Sequence, residues 1–247
     1  MHLRKRHPFP VSAHFDQSLV LTFALPPGEL QTLLPPPLEL DTFNNEHAFV
    51  AVAMVQTKSL RPSIMPAFLG NDFFLVGYRI FTRYENQAGK RLRGLYILES
   101  QTDSRQMALL GNLMTHYNYS RISVQQEKTA DHYRVSSASE SFEVSVRYAE
   151  DPALPPGSPF ANWKEARRFA GPLPFTFTYL AETREMLIVE GRRQNWQPRP
   201  VAVESLTLPW LEKRGWPHAT LASAFVVENI PYSWKKGVVE TLEAEKL

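Results

Sequence analysis

The stretch that decides the fold reads ESQTDSRQMALLGNLMTHYNYSR over residues 99–121. Its first residues continue a strand predicted at 91–101. Four apolar residues then recur at helical spacing: Met107, Leu110, Leu113 and Met114. We expect Thr102 or Asp103 to cap a helix that runs from Ser104 to about His116. The stretch thus predicts a strand, a tight turn and a helix that ends in a tyrosine-rich segment.

Strand patterns surround this helix on both sides. Residues 18–25 and 47–57 read as buried strands, and 73–84 with 91–101 as a hairpin. Later strands are expected at 119–126, 132–139 and 141–149 as a meander, and at 174–180, 186–193, 199–206 and 220–229. Short helices are expected at 26–34 and 160–170. Because long helices do not alternate with the strands, we expect a mainly β (α+β) fold, an antiparallel β-barrel with a few short helices.

The expected domain organisation is simple. Residues 1–13 read as an N-terminal arm, 14–234 as a single domain, and 235–247 as a charged C-terminal tail of partly helical character. The proline-rich stretch 150–159 is compatible with a domain boundary. We favour an internal loop, because a ten-residue connection with apolar flanks commonly crosses one domain.

Composition narrows the function classes. The 247 residues contain 27 basic and 25 acidic side chains and no cysteine, which excludes disulfides and thiolate chemistry. The near-balance of charge predicts no nucleic-acid partner. No apolar run reaches membrane-spanning length and none follows the basic N-terminus as in a signal peptide, so we expect a cytoplasmic protein without a membrane partner. The histidines lack ligand spacing, which predicts no metal site, and no phosphate-loop, dinucleotide or nucleophile-elbow motif suggests a cofactor.

Three stretches together resemble a known family. They are Leu30-x-x-Leu33-Leu34-Pro35-x-x-Leu38-Glu39-Leu40-Asp41, Ser100-x-x-Asp103-Ser104-Arg105 leading to Ala108-x-x-Gly111 and Tyr117–Arg121, and Arg192-x-x-x-Trp196-x-Pro198-x-Pro200. In order and spacing they are similar to the acetoacetate decarboxylase-like superfamily, in an uncharacterised bacterial branch. The likeness covers about residues 14–230. It implies a β-barrel around a small polar cavity, and homo-oligomers are possible by the same resemblance.

One departure from that family affects the chemistry. The resemblance implies that the Schiff-base lysine of the decarboxylase falls at about Tyr119 and the lysine that lowers its pKa at Ser120, while a cavity glutamate falls near Val50. No lysine occurs between Lys90 and Lys128. Imine-based decarboxylation from this segment is therefore not expected, because it requires a neutral amine as the nucleophile.

The candidate site residues lie around the same stretch. Tyr119 could orient or protonate a substrate, and Glu99 or His116 could move a proton. Arg79 could bind a carboxylate through two parallel hydrogen bonds (bidentate binding), and Arg83 lies on the same face of the strand. The remaining candidate ligand-binding residues are Gln101, Asp103, Arg105 and Arg121. Each has a purely structural alternative: a core tyrosine, a solvated ion pair or a helix cap.

These observations favour a small-molecule-binding protein whose ligand is an organic acid or a carbonyl compound. If it is an enzyme, we expect a lyase-type reaction without Schiff-base chemistry. A non-catalytic sensor or interaction module of the same fold is the main alternative. A decarboxylase that uses a lysine from elsewhere, such as Lys58, is a weaker one. An acid and a base paired inside the cavity would distinguish an enzyme from a binding module.

Overall fold

The computed structural model describes residues 5–171 and 173–242, and these form mainly β-sheet. The strands are β1 Val11–Leu25, β2 Glu39–Leu40, β3 Ala48–Pro62, β4 Asn71–Glu85, β5 Arg91–Thr102, β6 Tyr119–Arg121, β7 Gln125–Lys128, β8 His132–Ser137, β9 Phe142–Arg147, β10 Phe175–Leu180, β11 Glu185–Arg193, β12 Arg199–Pro200, β13 Ala202–Thr207, β14 Thr220–Trp234 and β15 Val238–Thr241. The helices are α1 Pro27–Gln31, α2 Arg105–Met114, α3 Trp163–Phe169 and α4 Pro209–Lys213, with a 3-10 turn at Ala67–Leu69. The prediction of a mainly β fold with short helices is confirmed.

Seven strands pair into a closed ring. Their order is β14, β1, β3, β4, β5, β10 and β11, and β11 pairs again with β14 through Gly191–Arg193. The expectation of a purely antiparallel sheet is wrong, because β5 runs parallel to both β6 and β10. The reason lies in the connections. Helix α2 carries the chain back across the sheet between β5 and β6, and such a crossover delivers the next strand in the parallel direction.

A second, antiparallel sheet contains β13, β9, β8 and β7 in that order. In β9 the alternation seen in the sequence is confirmed, with Phe142, Val144 and Val146 buried and the residues between them more exposed. The predicted meander is wrong at its first strand. Tyr119–Arg121 pairs with β5 in the ring, because the turn after α2 returns the chain directly to that strand.

The two faces of the ring strands have different environments. In β3, Val50, Val52 and Met54 belong to a large buried cluster that also contains the apolar residues of β8 and β9. The alternate residues Ala51 and Ala53 face a cavity instead. Because successive side chains of a strand point to opposite faces, one face of the ring forms core and the other encloses space.

The Leu-Glu-Leu-Asp motif has a structural role. Asp41 is fully buried and accepts hydrogen bonds from the Nε atoms of Arg83 and Arg93, each at 2.6 Å. Arg93 also donates to the carbonyl of Phe169 at 3.0 Å, which connects α3 to the sheet. A buried carboxylate requires such paired donors. Arg83 is therefore committed to Asp41 and does not assist Arg79.

The chain ends differ from the expected arm and tail. Strand β1 already begins at Val11, opposite Trp234, so the last part of the predicted arm belongs to the ring. Within the predicted tail, Val238–Thr241 is a strand paired with β11 rather than partly helical. Valines at 238 and 239 suit a strand. The first four residues of the arm and the last five of the tail lie outside the described residues, and a single domain over 14–234 stays a prediction.

Candidate functional site

A cavity of about 420 Å³ lies within the ring, and we call it the central cavity. All seven ring strands contribute to its lining, for example through Ser18, Ala53, Arg79, Ile97, Thr176, Arg193 and Val227. Helix α2 closes part of it with Met107, Leu110, Gly111 and Met114. Its volume is that of an ordinary small-molecule site, and its walls are mostly apolar.

Arg79 is a partly buried charged group in this wall that has no hydrogen-bond or ion-pair partner among the described residues. Its guanidinium makes no hydrogen bond or ion pair with any part of the chain that the structure describes, and its Nε is buried without a partner. No aspartate or glutamate of the described ranges lines the cavity. Burial is the main influence on the pKa of Arg79, and it lowers that pKa. An arginine nevertheless stays protonated, so the cavity carries an uncompensated positive charge.

A glycine leaves room for the guanidinium. Gly77 precedes Arg79 by two residues on the same face of β4, and a Cβ atom built on it would lie 2.8 Å from Arg79 Nη2. Any larger residue would force the Arg79 side chain to move. The local sequence Gly-Tyr-Arg thus fixes where the charge lies.

Three tyrosines lie close enough to Arg79 to interact with its charge: Tyr117, Tyr119 and Tyr232. None of their hydroxyl groups makes a hydrogen bond within the described ranges, and all three residues line the cavity. Burial raises the pKa of Tyr119 to about 12, although Arg79 opposes the shift. Burial also raises the pKa of Tyr117. The phenols of Tyr117 and Tyr119 are therefore neutral near pH 7 and can donate hydrogen bonds to an anion.

Tyr119 is held at its backbone and its ring. The side-chain amide of Asn112 accepts from the Tyr119 N–H and donates to the Tyr119 carbonyl, both at 2.8 Å. The ring packs on Gly111, where an added Cβ would overlap it. Helix α2 thus positions Tyr119 through two adjacent residues. Tyr117 is its neighbour, with ring centroids 6.5 Å apart.

Arg193 is another cation of the wall, which Arg61 and Arg167 also line. Its guanidinium lies 5.0 Å from the centroid of Trp196 and 5.4 Å from that of Tyr232, and it donates to the carbonyl of Leu173 at 3.1 Å. Burial lowers its pKa. Because the aromatic faces and the carbonyl already stabilise this charge, Arg193 depends less on a ligand than Arg79 does. In the sequence, Arg193 lies within the stretch Arg192–Trp196 that carries part of the family resemblance, and it was not among the predicted site residues.

His7 also lines the cavity, although sequence reasoning assigned it to an arm. Its Nδ1 is buried without a hydrogen-bond partner. Its carbonyl accepts from Gly237 N–H at 2.9 Å, which ties the segment to the C-terminal strand region. Burial lowers the pKa of His7, so its imidazole is neutral near pH 7 and can accept a proton. No pattern in the sequence could have indicated this position, because the contact joins both ends of the chain.

Glu99 and Gln101 lie on the other face of β5. The register places Glu99 opposite Tyr78, whereas Arg79 lies opposite Ile97. Directly paired residues share a face, so Glu99 and Arg79 point to different sides and do not converge as expected. Glu99 accepts from Trp210 Nε1 at 2.7 Å and pairs with Arg214 at 2.9 Å. Gln101 accepts from the Tyr78 hydroxyl at 2.9 Å.

Four further candidates also lie outside the central cavity. Asp103 accepts from the Phe74 N–H at 2.8 Å, and Ser104 rather than Asp103 caps α2 by accepting from Met107 N–H at 3.2 Å. Arg105 and Arg121 are exposed, at the start of α2 and the end of β6. His116 lines a separate pocket of about 170 Å³, and burial lowers its pKa. The structure therefore brings together Arg79 and Tyr119 but not the other predicted site residues.

No lysine of the described ranges lines the central cavity. Lys58 is exposed and pairs with Asp72 at 3.0 Å. This hydrogen bond raises the pKa of Lys58, which is opposite to what a neutral amine nucleophile needs. Nor do the described residues contain a group of three or more histidine, aspartate or glutamate side chains able to hold a metal ion. No helix among them is long and apolar enough to cross a membrane.

Comparison with solved structures identifies the fold. An acetoacetate decarboxylase from Legionella pneumophila is similar with a TM-score of 0.65 and 12% identity, covering 95% of this chain and 88% of the other. An acetoacetate decarboxylase-like enzyme from Sphingomonas wittichii gives 0.61 and 12%, covering 95% and 93%. The enduracididine biosynthesis enzyme MppR, complexed with pyruvate, gives 0.53 and 12%, covering 96% and 92%. The predicted resemblance to this superfamily is confirmed at the level of the fold.

Comparison at the level of sequence gives the family. No curated protein matches the chain. The model of the DUF2071 family, described as an uncharacterized conserved protein, matches residues 12–231, which include every ring strand in whole or in large part. The chain therefore belongs to the DUF2071 family and has an acetoacetate decarboxylase-like fold.

Proposed function

We propose that the protein binds a small organic acid in the central cavity, with the carboxylate of the ligand on Arg79. The single observation that supports this most is the guanidinium of Arg79, which lies inside the ring without any acidic partner. An isolated buried charge is unfavourable, and a carboxylate ligand would remove that cost. Guanidinium and carboxylate groups match in geometry, which favours a carboxylate among possible anions.

The tyrosines complete the proposed anion site. Tyr117, Tyr119 and Tyr232 have hydroxyl groups near Arg79 that make no hydrogen bond within the described residues. Hydroxyl donors around a cation would bind the carboxylate or an adjacent carbonyl oxygen of the ligand. The pyruvate complex of MppR shows that a protein of this fold binds a small oxo acid, which supports the proposal by analogy.

A thermal-shift titration with small carboxylic and oxo acids tests the proposal. At about 100-fold excess over Kd, a ligand stabilises the folded state by about 2.7 kcal/mol. We expect this shift in the wild type, a smaller one in Tyr119→Phe and none in Arg79→Met, each measured against its own ligand-free protein. Arg105→Met is the matched control, since Arg105 is exposed and outside the cavity. Absence of a shift with every acid, or an equal shift in Arg79→Met, would contradict the proposal.

The second candidate is a lyase-type reaction on the same ligand. The observation that favours it is His7, a base without a partner at Nδ1 in the same cavity as Tyr119. For a ligand with a hydroxyl group β to a carbonyl group, His7 would take the hydroxyl proton, the bond between the α- and β-carbons would break to release an aldehyde or ketone and leave an enolate, and Tyr119 would donate a proton to the enolate oxygen. Following each bound acid by proton NMR tests this. Consumption of the acid by the wild type and not by His7→Gln supports the reaction. Binding without turnover in the wild type would indicate a protein that only binds the acid.

A further inference from the structure

We infer that the ligand is an amphiphilic carboxylate with an extended apolar tail, not a short oxo acid. This rests on the proposed function, because it takes Arg79 as the anchor of the carboxylate. The first observation is size. The central cavity has about 420 Å³, nearly three times the roughly 150 Å³ of a cavity that holds one benzene molecule. A ligand that fills it would have on the order of 15 non-hydrogen atoms.

The second observation is the distribution of polar groups. Along β3 and β4 the cavity wall next to Arg79 is apolar in both directions. Phe81 lies on one side, and Leu75 and Phe73 lie on the other. Leu75 lies four positions from Arg79 along β4, which is a distance of about 13 Å at 3.3 Å per residue. A carboxylate on Arg79 therefore leaves a long apolar channel that a short acid would not fill.

The neighbouring strand has the same character. Ala51, Ala53 and Val55 face the cavity from β3 as the cross-strand neighbours of Arg79, Gly77 and Leu75. The small side chains beside the arginine leave room there, and the larger Val55 lies farther along the same wall. Helix α2 adds Met107, Leu110 and Met114. Methionines suit an aliphatic tail because their flexible side chains adapt to its shape.

The third observation is that the apolar lining reaches the surface. Leu110 lines the cavity and is 36% exposed, and Leu109 and Leu113 on the same helix are 72% and 38% exposed. Exposed apolar side chains beside a cavity commonly mark a binding site. Here they extend the apolar surface from the cavity wall to the outside of the protein. A ligand tail longer than the cavity would require such a surface.

Calorimetric titration with butanoate, hexanoate and octanoate tests the inference, with pyruvate and acetoacetate as short oxo acids and octanamide as the uncharged control. Each methylene that leaves water contributes about fourfold in affinity. Four methylenes between butanoate and octanoate give up to about 200-fold. We expect at least a tenfold gain, no binding of octanamide, and loss of octanoate binding in Arg79→Met.

A variant in the tail region provides the matched control. Val55 is the cross-strand neighbour of Leu75 in the cavity wall. Val55→Phe should abolish the preference for octanoate over butanoate, because its ring fills the space that the tail would occupy, and a cooperative unfolding transition in urea shows that the variant folds. Arg105→Met, which lies outside the cavity, should keep the preference of the wild type. Equal affinities for butanoate and octanoate, both dependent on Arg79, would overturn the amphiphilic ligand and leave the proposed function standing. No binding of any acid would instead overturn the proposed function itself.

Discussion

Replacing Arg79 with methionine should raise the free energy of unfolding of the ligand-free protein, although it removes the proposed ligand anchor. The side chain is charged, lies within the ring and has no acidic partner among the described residues. Replacing a buried ion pair by well-packed apolar side chains of similar volume is often neutral or stabilises a protein by about 1–4 kcal/mol, and Arg79 lacks even the compensation that a charged partner gives. Because Arg79 faces a cavity wide enough for water, which hydrates part of the charge, we expect about 1–2 kcal/mol.

Arg83 provides a control of opposite sign on the same strand. It lies four residues from Arg79 and pairs with the fully buried Asp41 at 2.6 Å. Arg83→Met leaves that carboxylate with Arg93 alone. Removing the partner of a buried ion costs about 3–5 kcal/mol when nothing else pairs with it. Since Arg93 remains, we expect a loss of about 1–3 kcal/mol.

Urea unfolding at pH 7, followed by circular dichroism, measures both changes. The two variants should bracket the wild type, with the midpoint of Arg79→Met above it and that of Arg83→Met below it at unchanged slope. A destabilisation of Arg79→Met by more than about 1 kcal/mol at unchanged slope would refute the reasoning. It would mean that the ligand-free protein already holds the Arg79 charge by favourable interactions.

Three further predictions concern the cavity. Gly111→Val should destabilise the protein by about 1–3 kcal/mol and weaken acid binding, because the new side chain overlaps the Tyr119 ring. His7 has a folded-state pKa below the ordinary value, so its contribution to stability is present above the unfolded pKa and is lost as pH falls through the folded pKa. The wild type should therefore lose more stability between pH 7.5 and pH 5 than His7→Gln, as measured by thermal unfolding. Borohydride treatment with acetoacetate should trap no adduct by mass spectrometry, because Lys58 is exposed and its pKa is raised by Asp72.

Each of these has a clear contrary result. Wild-type stability and binding in Gly111→Val would show that Tyr119 is not held by this contact. Parallel pH profiles for the wild type and His7→Gln would show that His7 is equally solvated in both states. A trapped adduct would restore Schiff-base chemistry, and peptide mapping would locate its lysine. The Lys58→Met variant is the control, because it would lose an adduct that had formed on Lys58.

Local patterns were sufficient for much of the secondary structure. The hairpin of β4 and β5, the helix α2 and the alternation of β9 follow from periodicity and turn residues, and the structure confirms them. The tyrosine-rich segment after α2 joins the ring, where Tyr119 pairs with Ser100 of β5. The parallel pairing of β5 was not predictable from periodicity, since alternation is the same in parallel and antiparallel strands.

The sequence by itself determined which residue types are available, with no cysteine and no lysine near Tyr119. It also led to the expectation of a set of strands that is the size of one domain. Only the tertiary structure decided which polar residues share the cavity. Strand register separates Glu99 from Arg79, although both lie on neighbouring strands. Ring closure brings His7, Arg193 and Tyr232 from distant parts of the chain to the wall that holds Arg79. The physical reason is that a side chain's face depends on pairing partners far along the chain, which local sequence does not specify.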